Sequence, residues 1–189
     1  MRKSLLAIAC ALGLATAASA HETATFRARL TGGDLAGNPI VTNAKGEARL
    51  AIIDNNTAVR FEVEVQGIRN LWQAHIHISP TGPVAQNQPV GPIAFFFVPT
   101  IPGAPDSNIP GPTDDEISGG FVMTNAQLIG PLTFDPNNPT TTGIAGLIKA
   151  IKEGRASIVV HTSDLNNANN RIPGVAGDSP AGEIRGLIQ

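Results

Sequence analysis

Most of the side-chain chemistry in this chain belongs to four histidines, since 189 residues include a single cysteine and no tyrosine. His75 and His77 lie two apart in an alternating segment in which Trp72, Ala74, Ile76 and Ile78 fill the intervening places. In an extended chain, alternate side chains share a face. Both imidazoles are therefore expected on the side opposite the apolar residues. His161 obeys the same rule, because Ala156, Ile158 and Val160 define the inward side of its segment. An H-x-H pair with a distant third histidine is a way to assemble an imidazole site for copper or zinc. Three imidazoles without a thiolate favour Cu(II) or Zn(II) over Cu(I). The spacing predicts that His75, His77 and His161 stand on the polar, solvent-facing side of their strands, where His161 meets the pair if the two strands are neighbours or if a loop folds between them.

His21 adds a different ligand chemistry. Arg2 and Lys3, the apolar run Leu5 to Leu14 and the small residues Ala18-Ser19-Ala20 read as a secretory signal over residues 1–20. Cleavage after Ala20 places His21 at a new amino terminus, where amine and imidazole form a bidentate chelate, a possible N-terminal metal ligand. The run is shorter than the roughly 20 residues a membrane helix needs. The expected destination is secreted or periplasmic. Cys10 leaves with the leader, so residues 21–189 contain no cysteine and thiolate sites, thiol catalysis and disulfides are excluded there. Losing Arg2 and Lys3 leaves 11 basic against 15 acidic side chains, a balance of −4. That excludes a basic nucleic-acid binder as the expected class.

The elements that must position these groups are short strands. Alternation is clear at Phe26-Ala28-Leu30, Ala48-Leu50-Ile52, Val59-Phe61-Val63-Val65, Ala156-Ile158-Val160 and Ile184-Gly186-Ile188, with further strands expected within Val90 to Val98 and Gly120 to Met123. Gly32-Gly33, Lys45-Gly46, Asp54-Asn55-Asn56 and Gly67 mark turns. The expected fold is all-β: an antiparallel β-sandwich or Greek-key barrel. One short helix is expected to cross an open end of the sheets, from Ile144, Leu147, Ile148 and Ile151 at i, i+3, i+4, i+7, with Thr142 as N-cap and Gly154 as stop. Two long loops, Pro99 to Ser118 and the Asn-rich Ser163 to Gly182, offer a contact surface. No linker divides residues 21–189.

Glu183 and Arg185 share one face of the last strand, as Glu62 and Glu64 do earlier. A carboxylate there can hold a ligand imidazole in place from behind, and Arg185 can attract an anion or bond a loop. Cross-strand ion pairing on a solvated face is the plainer reading of all four. No G-x-S-x-G, H-E-x-x-H, Walker or dinucleotide-binding pattern is present. Asp114-Asp115-Glu116 lacks the spacing of a calcium loop, and Asn55-x-Thr57 is a formal glycosylation acceptor.

Taken in order, Phe26-x-Ala28-x-Leu30-x-Gly32, Gly46-x-Ala48-x-Leu50, Ala74-His75-Ile76-His77, Gly154-Arg155-Ala156, Val160-His161-Thr162 and Pro180-x-Gly182-Glu183-Ile184-Arg185-Gly186 resemble the CHRD domain first described in chordin. The resemblance spans about residues 24 to 189. It implies an exported all-β domain and, by way of chordin, a module that binds an extracellular or periplasmic protein or ligand. Carried over by position, the motif residues are His75, His77, His161, Thr162, Glu183, Arg185 and Gly186. Ser157 departs from the pattern, which has an aromatic residue there, and the segments Thr81 to Pro92 and Pro99 to Ser118 are longer than expected. The histidine pattern is also similar to that of copper–zinc superoxide dismutases, a likeness of fold that carries no function by itself. The sequence thus points to a non-enzymatic exported binding module with a histidine site for copper or zinc, no nucleic-acid partner and no membrane span. The alternative is a copper-dependent redox protein resembling a superoxide dismutase.

Overall fold

The computed structural model describes residues 22–80, 82–85, 87–98, 120–123, 143–163 and 179–189. Among these residues eight strands form in chain order: β1 (Ala24–Gly32), β2 (Lys45–Ile53), β3 (Ala58–Gln66), β4 (Leu71–Ile78), β5 (Ile93–Val98), β6 (Gly120–Met123), β7 (Ala156–Thr162) and β8 (Ser179–Leu187). They pair in the order β5-β4-β7-β8-β1-β2-β3-β6, antiparallel throughout. The all-β antiparallel class expected from the alternation is what forms.

The sheet is curled. β1 joins its two halves, pairing with β2 along Ala24 to Leu30 and with β8 only at Thr31 and Gly32. The curl brings together strands that are far apart in the pairing order. Phe61 on β3 and Phe95 on β5 stack with ring centroids 5.5 Å apart and planes 7° from parallel. One apolar core therefore takes residues from both halves, Leu30, Leu50, Phe61 and Val63 from one and Ile76, Ile158, Val160 and Ile184 from the other.

The helix α1 (Gly143–Lys152) buries Ile144, Leu147, Ile148 and Ile151 in this core. Its end is a left-handed glycine cap: Gly154 has φ +67°, its N–H donates to Ile151 O, and the Arg155 N–H reaches back to Ala150 O. Thr142, expected as the N-cap, lies outside the described residues, as does the loop from Pro99 to Ser118. The Asn-rich loop was expected to run to Gly182, but β8 already begins at Ser179, where Ser179 pairs with Thr162. Gly182 accounts for the difference. It sits inside the strand at φ +112°, and a Cβ there would come within 2.8 Å of Val159 Cγ1. A turn residue by type is used here for close packing instead.

Candidate metal centre

β4 and β7 are direct neighbours, so the two histidine-bearing strands meet without a loop between them. Their register sets His77 opposite Ser157, His75 opposite Val159 and Gln73 opposite His161. On β8, Arg185 lies opposite Val159 in turn, and Leu187 opposite Ser157. Ala74, Ile76, Ile158 and Val160 face the core. The other side of this part of the sheet carries the three imidazoles, Ser157, Val159 and Arg185. Period two assigns these faces correctly.

That second face is not open to solvent, which corrects the expectation of a solvated histidine side. His75, His77 and His161 are 1%, 4% and 3% exposed, and Glu183 and Arg185 1% and 0%. The cover is irregular chain. The residues around Asp34, together with Ala85 and those from Asn87 to Gly91, lie over the face and are fixed by side chains beneath them. Arg185 Nη1 donates to Asp34 O (3.1 Å) and Gln88 O (2.8 Å), and its Nη2 donates to Ala85 O (3.2 Å). Both terminal nitrogens of the buried guanidinium thus donate to backbone carbonyls. Glu183 accepts from the Thr42 hydroxyl at 2.5 Å and from the Thr162 hydroxyl at 2.6 Å, and the Ser179 amide donates to Thr162 Oγ1 at 2.9 Å. The plainer reading of these two residues, ion pairs on a solvated face, thus gives way to buried hydrogen bonding. Among the described residues, the solvated pattern holds on the outer face of β1–β3, where Arg27 pairs with Glu47 at 3.3 Å.

The imidazoles are oriented by carbonyls. His77 Nδ1 donates to Gly91 O at 2.8 Å, and His161 Nδ1 donates to Pro180 O at 2.9 Å. Since a carbonyl only accepts, these contacts assign the protons to Nδ1 and leave both Nε2 atoms with lone pairs. His161 Nε2 then accepts from His75 Nδ1 at 3.1 Å. His77 Nε2 is buried without a hydrogen-bond partner. The His75 ring centroid lies 5.4 Å from that of His77 and 4.8 Å from that of His161. One donor atom from each of the three falls within 4.8 Å of the others. An ion with bonds of about 2.0–2.1 Å at tetrahedral angles holds its nitrogens about 3.3 Å apart. The His75 Nδ1–His161 Nε2 pair is 3.1 Å apart as a hydrogen bond, so sharing an ion through these atoms requires the His75 proton to move to Nε2, and the other donor separations, up to 4.8 Å, must shorten by as much as about 1.5 Å.

Burial sets the protonation. It drives the His75 pKa down to about 2, helped by the neighbouring His161 and His77. It drives His161 down to about 4 against the opposing bond to Pro180 O, with His77 adding to the fall. His77 is also lowered, by burial first and by the Arg185 charge, while its bond to Gly91 O opposes the shift. The cluster is therefore neutral near pH 7, the form in which imidazole binds a metal.

His21 lies outside the described residues. Its neighbour Glu22 is held at the β2–β3 part of the sheet by Arg49 (3.6 Å) and Arg60 (3.1 Å). The residues that sequence reasoning missed are Gly91 and Pro180, whose carbonyls aim two imidazoles, and Thr42, which binds Glu183. Carbonyls leave no mark in a sequence. Gly91 had one trace, its glycine identity: a Cβ there would lie 1.9 Å from Ile78 O.

A family model described as the CHRD domain matches residues 26–172, most of the chain and all three clustered histidines. No curated protein and no solved structure matches it.

Proposed function

The chain belongs to the CHRD-domain family, and we propose that it serves as an exported binding module whose site takes copper or zinc through His75, His77 and His161. The observation that carries this reading is the cluster itself. Three neutral imidazoles, buried and aimed from two strands, bring one donor atom each within 4.8 Å, and His77 Nε2 is left without a hydrogen-bond partner. A buried polar atom without a partner costs about 1–3 kcal/mol. A coordinate bond repays that cost where a packed apolar residue would have avoided it. Glu183 and Arg185 serve the site indirectly, by fixing Thr42 and Thr162 and the cover over the imidazoles. The leader-like first twenty residues support export, to the periplasm or outside the cell.

Metal analysis of the purified protein before and after His77→Ala tests the reading. The expected result is about one equivalent of ion retained by the parent protein and lost by the variant. Unchanged metal content in the variant refutes it. The redox-enzyme alternative needs a small substrate to reach the ion, and the burial of all three ligands gives it no support. No membrane-crossing helix occurs among the described residues, and the partner of the module is an extracellular or periplasmic protein or ligand.

A further inference from the structure

Three imidazoles do not complete the shell of a tetrahedral zinc or a tetragonal copper(II) ion, each of which takes a fourth donor. Among the described residues no carboxylate or thiolate joins the three as a clustered donor. Glu183 gives its oxygens to the hydroxyls of Thr42 and Thr162. Asp34 gives its own to the amides of Ala36 and Asn38 and to the Asn38 side chain. A different polar side chain stands on the histidine face. Ser157 is fully buried on β7, and its Oγ has no hydrogen-bond partner. It lies directly opposite His77, whose Nε2 is likewise buried without a partner.

The His77 ring is turned toward that serine. β5 and β7 flank β4 on opposite sides. His77 Nδ1 is drawn to the carbonyl of Gly91, next to Pro92, whose own carbonyl accepts from the Ile78 amide on the β5 side. The bond at Nδ1 leaves Nε2 as the coordinating nitrogen and directs it to the β7 side, where Ser157 and Val159 stand. Residues paired across a sheet share a face, with Cβ atoms about 4.5–5.5 Å apart. Nε2 and Oγ do not bond each other, yet one arrangement satisfies both: an ion on Nε2 carrying a water that donates to Oγ. With bonds of about 2 Å to the ion and a hydrogen bond of about 2.8 Å, such a bent chain spans about 5 Å from Nε2 to Oγ. That is the scale of opposed side chains in a sheet.

We infer that Ser157 positions the fourth ligand of an ion held by His75, His77 and His161, a water molecule enclosed under the cover that donates a hydrogen bond to Ser157 Oγ. This rests on the metal-binding reading of the same cluster. The test loads the metal-free protein with one equivalent of Cu(II) in water enriched in the magnetic isotope of oxygen and reads it by pulsed electron paramagnetic resonance. Nitrogen couplings count the imidazoles, and an oxygen coupling reports solvent bound to the ion. The expected result is three imidazoles and one bound solvent oxygen. Ser157→Ala is expected to keep the ion and the three imidazoles and to lose the single, well-defined oxygen coupling, because an outer partner orients what the ion binds. Three imidazoles without a solvent oxygen overturn the inference and leave the metal site standing. An oxygen coupling that Ser157→Ala leaves unchanged overturns the role of Ser157. So does a variant that loses the imidazole couplings together with the oxygen coupling, which makes Ser157 a packing residue. Failure of the parent protein to take up copper, or copper held by fewer than three imidazoles, overturns the site itself. The measurement on the parent protein decides the water ligand whether or not the variant folds.

Discussion

Acidification should destabilise the metal-free protein already above the pH at which its carboxylates titrate, because three imidazoles are held neutral. In the unfolded chain each histidine has a pKa near 6.5. In the folded protein His75 sits at about 2 and His161 at about 4, both lowered chiefly by burial. The sign follows from proton counting. Above pH 6.5 neither state binds a proton at these rings, and stability is full. As pH falls through 6.5, the unfolded state takes up protons that the native state refuses, and stability drops. The loss continues until each folded pKa is passed, near 4 for His161 and near 2 for His75. At pH 5 a ring that stays neutral costs about 2 kcal/mol. His75 and His161 together cost about 4 kcal/mol, and His77, shifted the same way, adds to it. That is a large part of the roughly 5–15 kcal/mol that holds a typical domain. Urea unfolding of chelator-treated protein at pH 7.5, 6.5, 5.5 and 5.0 should show ΔG falling by about 4 kcal/mol or more over the series. His161→Asn should flatten the slope by about a third. A flat profile between pH 7.5 and 5.0, or one that the variant leaves unchanged, refutes the buried-neutral account.

Other outcomes follow from the same geometry. Glu183→Gln keeps the shape but gives one of the two hydroxyls a donor to face, and should cost about 1–3 kcal/mol, a fall of several degrees in Tm by calorimetry. Gly91→Ala places a Cβ 1.9 Å from Ile78 O and 2.8 Å from its carbonyl carbon. It should cost about 2 kcal/mol or more and weaken metal retention together with stability, because Gly91 O aims His77. Leu147→Ala empties a fully buried place where α1 meets the core and should cost about 2–5 kcal/mol in chemical denaturation. Metal content measured at a temperature where that variant remains folded should stay at the parent value.

By itself the sequence determined which side each residue takes. A strand repeats every two residues, so Ile76 and Ile158 had to enter the core and His75, His77 and His161 had to leave it. A helix repeats every 3.6, so Ile144, Leu147, Ile148 and Ile151 had to form one stripe. These are local consequences of backbone geometry and need no knowledge of the rest of the fold. Tertiary structure decided what each face meets. That β4 and β7 are neighbours, and that Phe61 reaches Phe95, depends on pairings across dozens of residues. The burial of the histidine side depends on carbonyls of Asp34, Ala85, Gln88 and Gly91, which every residue type supplies alike. Such groups leave no signature in composition or spacing. For that reason a face that reads as polar and solvated in the sequence is, in the folded protein, a covered layer in which three imidazoles stay neutral.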